Sequence, residues 1–188
     1  MIFSLFTVIN KIIHRLINIV TFGYGVQKVR NQENIDFIIN GASELQEVTV
    51  HNNLKVNGTA ILYKVLIGKK LFVNGSLSAS DSTMQSLESN GCTSLKNCQV
   101  DHSIVAHGSA ILSDCCAYDI TIKGKLFAIS SRLGSICVKK AWSGRHIIDL
   151  TDTIVHGDII FENTNGSVFL RGNAHIFGNV IGGSVERV

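Results

Sequence analysis

A five-residue pattern, apolar, any, apolar, polar, Gly, returns along the chain at an almost fixed interval, and that interval restricts the fold more than any other feature. It is clearest as Leu71-Phe72-Val73-Asn74-Gly75. Earlier copies are Phe37-Ile38-Ile39-Asn40-Gly41 and Leu54-Lys55-Val56-Asn57-Gly58. Later ones are Ile104-Val105-Ala106-His107-Gly108, Ile120-Thr121-Ile122-Lys123-Gly124, Thr153-Ile154-Val155-His156-Gly157 and Val168-Phe169-Leu170-Arg171-Gly172. Degenerate copies, Leu87-Glu88-Ser89-Asn90-Gly91 and Ile136-Cys137-Val138-Lys139-Lys140, fall where the spacing requires them. The marker then sits at 41, 58, 75, 91, 108, 124, 140, 157 and 172. Such a period signals a repeat architecture, because each unit cannot bury its apolar face alone and neighbours must stack.

The unit is too short for a helical pair and too long for a heptad. Alternating apolar residues, as in Leu71 and Val73 or Ile120 and Ile122, mark half-buried strands. The following Gly permits a corner that residues with a Cβ resist. Two residues on, a second inward position recurs at Ala60, Leu77, Ala110, Leu126, Trp142, Ile159 and Ala174. A third inward group follows as Val48 with Val50, Val65 with Ile67, and Cys98 with Val100. Three short faces per unit predict an all-β fold, a single-stranded triangular β-helix of about nine turns of 16–17 residues over 35–183. At ~4.8 Å per strand the rod is roughly 40 Å long. The coils between 78 and 99 are rich in Ser, Thr and Asn, with Met84, Leu87 and Leu95 as their large apolar residues, which predicts the weakest stretch of core. Residues 184–188 read as a tail.

The chain has 188 residues, 45% of them hydrophobic and 16% charged, enough for one well-cored domain. The absence of Pro suits ladders in which every backbone donor is used. A net charge of +3, with scattered Lys and Arg, argues against a nucleic-acid partner.

Residues 1–22 depart from the repeat. Ile2, Leu5, Phe6, Ile9, Ile12, Ile13, Leu16, Ile19 and Val20 fall on one face at helical spacing, with Lys11, His14 and Arg15 among the residues opposite. The pattern predicts an amphipathic α-helix stopped by Gly23-Tyr24-Gly25, followed by a connector over 23–34. Lys11 and Arg15 interrupt an apolar run barely long enough to span a bilayer, and the basic leader and cleavage site of a secretory signal are missing. Two roles stay open: a cap over the first turn, as terminal turns need covering, or a segment lying in a membrane interface.

Side chains that could carry chemistry are few. Asn40, Asn57, Asn74 and Asn90 share one position in four turns and predict an amide ladder, a structural feature. The same column turns basic at His107, Lys123, Lys139, His156 and Arg171, which reads first as a solvated edge and otherwise as a stripe able to meet an acidic partner or lipid head groups. His107 and His156, placed three turns apart, are too distant to share an ion, and His51, His102, His146 and His175 fall in other columns, so no metal is expected. Cys98 and Cys115 should stack in adjacent turns at a separation open to a disulfide, yet a reducing compartment favours buried thiols. Asp101, Asp114 and Asp119 are spread over separate columns and no triad is arranged, so neither enzymatic activity nor a cofactor is expected.

The spacing, the strand-and-corner unit, and the closing run 157–161 through 172–180 resemble bactofilins, polymer-forming bacterial cytoskeletal proteins, over roughly residues 35–183. The resemblance implies a right-handed triangular β-helix that polymerises end to end without nucleotide and attaches to the inner membrane through a short N-terminal segment. The opening Met1-Ile2-Phe3-Ser4-Leu5-Phe6 is loosely similar to such a tail. On this reading the chain is a cytoplasmic, peripherally membrane-associated scaffold whose partner is itself. Its contacts are expected from backbone edges with Phe169, Ile176, Phe177 and Val180 of the terminal turn. The alternative is a capped solenoid that binds another protein on a flat face.

Overall fold

In the computed structural model, residues 26–27, 36–140, 146–162 and 165–188 are described. The predicted N-terminal helix, including Ile2, Leu5, Phe6, Ile9, Ile12, Ile13 and Leu16, lies outside these residues. So do Trp142 and most of the connector.

The described chain is an all-β parallel solenoid of about eight turns, not nine. Each turn contributes a strand to three faces. The first face stacks Phe37–Asn40, Leu54–Asn57, residues 70–73, 86–89, 103–106 and 119–122, then Ile136–Lys139, Ile159–Glu162 and Val180–Ile181. The second runs from Val26–Gln27 through Ser43–Gln46, Ala60–Tyr63, Leu77–Ser80, Thr93–Lys96, Ala110–Ser113, Leu126–Ile129, His146–Thr151 and Gly166–Arg171 to Gly183–Arg187. The third carries Thr49–Val50, residues 66–67, 83–84, 99–100 and 116–117, Arg132–Leu133, Ile154–Val155 and His175–Ile176. The residues read as a tail thus belong to the last second-face strand.

Alternation along these strands puts one column inside at each register. Leu54, Leu71, Leu87, Ile104, Ile120 and Ile136 stack on the first face, all at 1% exposure or less. The polar coils are sealed as well. Met84, Leu87 and Leu95 are fully buried, and the hydroxyls of Ser89 and Thr93, also buried, bond one another across the corner. Pairing two buried hydroxyls removes the cost of leaving either unsatisfied.

The period holds only through Ile136. From Phe37 on, partners on each face are 16 or 17 residues apart up to that point, as in Leu54, Leu71 and Leu87. The next steps are longer: Ile136 pairs with Ile159, Leu126 with Ile148 and Leu133 with Val155. The late marker copies therefore move. Residues 153–157 lie on the third face and 168–172 on the second, while the first-face column continues at Ile159 and Val180. Ile159 is accordingly inward on the first face rather than the second, where Ile148 and Val168 follow Leu126.

Two corner devices set the shape. At the first-to-second corner, glycine is needed for close approach more than for conformation. A Cβ on Gly91 would sit 2.6 Å from the Gly75 carbonyl oxygen, although Gly91 is outside the left-handed region. Gly58, Gly75, Gly108 and Gly124 meet the glycine one turn earlier in the same way. The second-to-third corner is made instead by left-handed residues: Glu47, Lys64, Asp81, Asn97, Asp114, Ser130 and Asp152, with φ between 48° and 55°. Each costs about 1–2 kcal/mol for a residue with a Cβ, least for Asp and Asn. Immediately after it comes a small buried residue: Val48, Val65, Ser82, Cys98, Cys115, Ser131 or Thr153. Ser82, Ser131 and Thr153 each donate to the carbonyl two residues back, across the corner. Ser82 Oγ also accepts from Val65 N at 3.0 Å, and Ser131 Oγ from Cys115 N at 3.1 Å, which ties successive corners together.

Candidate functional site

The C-terminal turn is the site that the topology leaves most open. Val180–Ile181, Gly183–Arg187 and His175–Ile176 are the last described strands of the three faces, so each has one edge unpaired among the described residues. Such edges are templates for further pairing. At the opposite end, Val26–Gln27 already lies against Glu44 and Leu45 of the second face.

Of the residues expected there, three are brought together and one is not. Ile176 and Val180 are half-buried against the end of the core. Phe177 is 65% exposed, stacked on His156 at 5.5 Å and edge-on to His175 at 4.6 Å. Phe169 belongs to the preceding second-face strand, paired with Glu186, and points outward rather than into the terminal turn. Ile181, Val185 and Val188, which the sequence reading passed over, are exposed in the same last turn. For Ile181 the signal was the run Val180-Ile181, which continues the first-face ladder.

The remaining candidates redistribute with the corrected register. Asn57 donates its amide to Asn40 at 2.7 Å and Asn90 donates to Asn74 at 3.0 Å. Beyond them, the column passes His107, Lys123 and Lys139 but ends at Glu162, not at His156 and Arg171. Lys139 lies 3.8 Å from Glu162, and Arg171 is paired with Asp149 at 3.0 Å, so the basic stripe shrinks to a short stretch. His107 sits instead near Glu88, at 3.7 Å, and Lys70 approaches the same carboxylate at 2.5 Å. The hydrogen bond from Lys70 holds the Glu88 carboxyl below its ordinary range.

His156 shares a column with Tyr118 and Gly134 rather than with His107. Between Tyr118 and His156, the missing Gly134 side chain leaves an open cleft of about 390 Å³, bordered by Asp101 and Arg132. Gly134 is required by its backbone, since a Cβ would strike the Tyr118 carbonyl. Among the described residues, no three His, Cys, Asp or Glu side chains converge as a metal site would need. Asp114 forms a corner, and Asp101 accepts from the Gln99 amide at 2.7 Å.

Cys98 and Cys115 stack in the corner column, both buried and both free thiols. Each donates to the carbonyl two residues back, Lys96 at 3.3 Å and Ser113 at 3.1 Å. The Cys115 thiol is pushed far up, by its hydrogen bond with Cys98 first and by burial second. The same hydrogen bond shifts the Cys98 thiol the other way, downward. Both groups are buried in the corner column and pack there as small apolar side chains.

A second exposed apolar group lies on the second face. Ile61 and Tyr63 stand out near its start, and Ile111, Phe127 and Ile129 further along, each between 36% and 48% exposed. The runs Ile61-Leu62-Tyr63, Ile111-Leu112 and Leu126-Phe127-Ala128-Ile129 carried the signal: they are apolar where an exposed face should alternate with polar residues. None of these features is tied to a known relative: no family model, no curated protein and no solved structure matches the chain.

Proposed function

We propose that the protein is a non-enzymatic, self-associating structural scaffold, of the kind the resemblance to bactofilins implies, joined through its C-terminal turn and held near a membrane by residues 1–22. The observation that carries this reading is the coincidence, in one turn, of unpaired edges on all three faces with exposed Phe177, Ile181 and Val185. Backbone edges supply direction and register, and the apolar side chains supply the burial that makes a contact hold. With Val26–Gln27 laid over one face of the other end, the C-terminal turn is the readier partner for a second copy, and contact between two such turns follows two-fold symmetry. Growth into a filament then needs a second contact at the N-terminal turn, around Phe37–Asn40.

Negative-stain electron microscopy and sedimentation of the purified chain, without nucleotide, test this reading. The expected result is end-joined particles or filaments that Phe177→Arg dissolves, since burying an unpaired charge costs several kcal/mol. Discrete single rods in the unaltered chain, or assemblies indifferent to Phe177→Arg and Ile181→Arg, would overturn it. Flotation with anionic vesicles tests the membrane part: binding should disappear on removal of residues 1–22.

A further inference from the structure

The outer surface of the second face is organised along the rod axis, not across it. Its outward column reads Glu44, Ile61, Ser78, Ser94, Ile111, Phe127 and Asp149, one residue per turn. A neighbouring outward column reads Gln46, Tyr63, Ser80, Lys96, Ser113, Ile129 and Thr151. The two together form a stripe with an apolar pair near one end, a middle of Ser78, Ser80, Ser94 and Lys96, and an apolar cluster near the other. Glu44 closes it on one side, and Asp149, paired with Arg171, on the other.

We infer that this stripe is the seat of the chain's own N-terminal segment, residues 1–22, laid lengthwise along the second face. Three observations agree on that occupant. The first is where the segment is attached: Val26–Gln27 is the first strand of this very face, in register with Glu44 and Leu45, and Gly23 and Gly25 immediately precede it. The second is length. From Val26–Gln27 to Leu126–Ile129 the ladder takes six steps, about 29 Å at ~4.8 Å each. A helix over residues 1–22 is about 33 Å long at ~1.5 Å per residue.

The third is pattern. Measured back from residue 22, Leu16 reaches the level of Ile61 and Tyr63, and Leu5 and Phe6 reach the level of Ile111, Phe127 and Ile129. Ile9, Ile12 and Ile13 fall over Ser78 and Ser94, whose small side chains leave room for them. Lys11 and Arg15 lie on the opposite side of the helix and stay in water. A cap on the first turn would leave the cluster at Ile111, Phe127 and Ile129 uncovered, because it lies four to five steps further along the rod. The inference stands whether or not the C-terminal turn self-associates, and it assigns the apolar face of residues 1–22 to the stripe when no membrane is present, since one face cannot meet both.

Limited trypsin digestion of the full chain, under dilute conditions where it sediments as a single species, tests the docking at Lys11 and Arg15. Cleavage in a docked segment tracks the open population. The expected result is release of the N-terminal peptide at least about tenfold faster in Phe127→Glu and in Ile111→Glu than in the unaltered chain or in Leu66→Glu, an exposed third-face control, with thermal unfolding unchanged. Equal rates in all four chains would overturn the inference, as would equal acceleration by Leu66→Glu. Protection that falls on dilution would also overturn it, by assigning the stripe to a second copy.

Discussion

Replacing Gly91 by alanine separates two reasons why a glycine recurs at the first corner. If glycine were there for conformational freedom, the substitution would be nearly harmless, because Gly91 does not adopt a left-handed backbone. The stacking predicts otherwise. The new methyl carbon would lie 2.6 Å from Gly75 O and 2.7 Å from its carbonyl carbon, against ordinary contact beginning at 3.4 Å. Relief requires the two turns to part by about 0.8 Å at this corner. Three ladder bonds cross there: Gly91 N to Gly75 O at 2.9 Å, Leu77 N to Cys92 O at 2.9 Å, and Asn90 N to Val73 O at 3.0 Å. That displacement carries all three beyond useful length. At ~1 kcal/mol net for each bond, Gly91→Ala should cost about 3 kcal/mol. Gly41→Ala is the comparison, since its φ of 103° strains any side chain but nothing lies within 4 Å of the new carbon. It should cost about 1–2 kcal/mol. Urea unfolding followed by far-ultraviolet circular dichroism reads both as shifts in midpoint at constant slope. A cost for Gly91→Ala no greater than that for Gly41→Ala refutes the close-approach argument.

The left-handed corner makes the opposite prediction: Ser130→Gly, at φ 49°, should stabilise the chain by about 0.5–1 kcal/mol in the same assay, because the strain of a Cβ is removed. The Glu88 carboxyl, lowered by Lys70, contributes stability that is present above the usual carboxyl pKa and lost as pH falls through its own lower value. With both side chains partly in water the effect is under about 1 kcal/mol, and Lys70→Met should narrow the difference in urea midpoint between pH 7 and pH 3.

The fold was legible because a steric requirement leaves a literal mark. Gly58 through Gly124 recur every 16 or 17 residues because each must pass the glycine below it, and the solenoid, its three faces and its inward columns follow from that spacing. The later turns misled for an equally physical reason. Gly157 does stack on a backbone, against Ser135, and Gly178 stacks on Gly157, but at the third-to-first corner. A marker without its corner cannot report register, and this is how Phe169 came to be assigned to the terminal turn. The left-handed corners were only half legible: Asp81, Asn97, Asp114 and Asp152 are types that tolerate φ above zero, but Glu47, Lys64 and Ser130 at the equivalent corners are not, so no one residue type marks the column. The apolar stripe on the second face is legible as unbroken apolar runs, Ile61-Leu62-Tyr63 and Leu126-Phe127-Ala128-Ile129, but alternation alone does not say which members of such a run face outward.

The three parallel ladders also define how the molecule would respond to force. Its first and last described strands lie at opposite ends of the stack, so tension between them runs along the hydrogen bonds and loads one turn at a time instead of shearing many together. Extension should therefore proceed as a staircase, each detached turn releasing its own length of chain. A turn of 16 or 17 residues yields about 50 Å once its former height is subtracted. The turns after Ile136, with 20 or more residues between most partners, yield steps of about 65–75 Å. The trace from a single molecule would then carry the two step lengths as separate signatures, and would show from which end the rod peels.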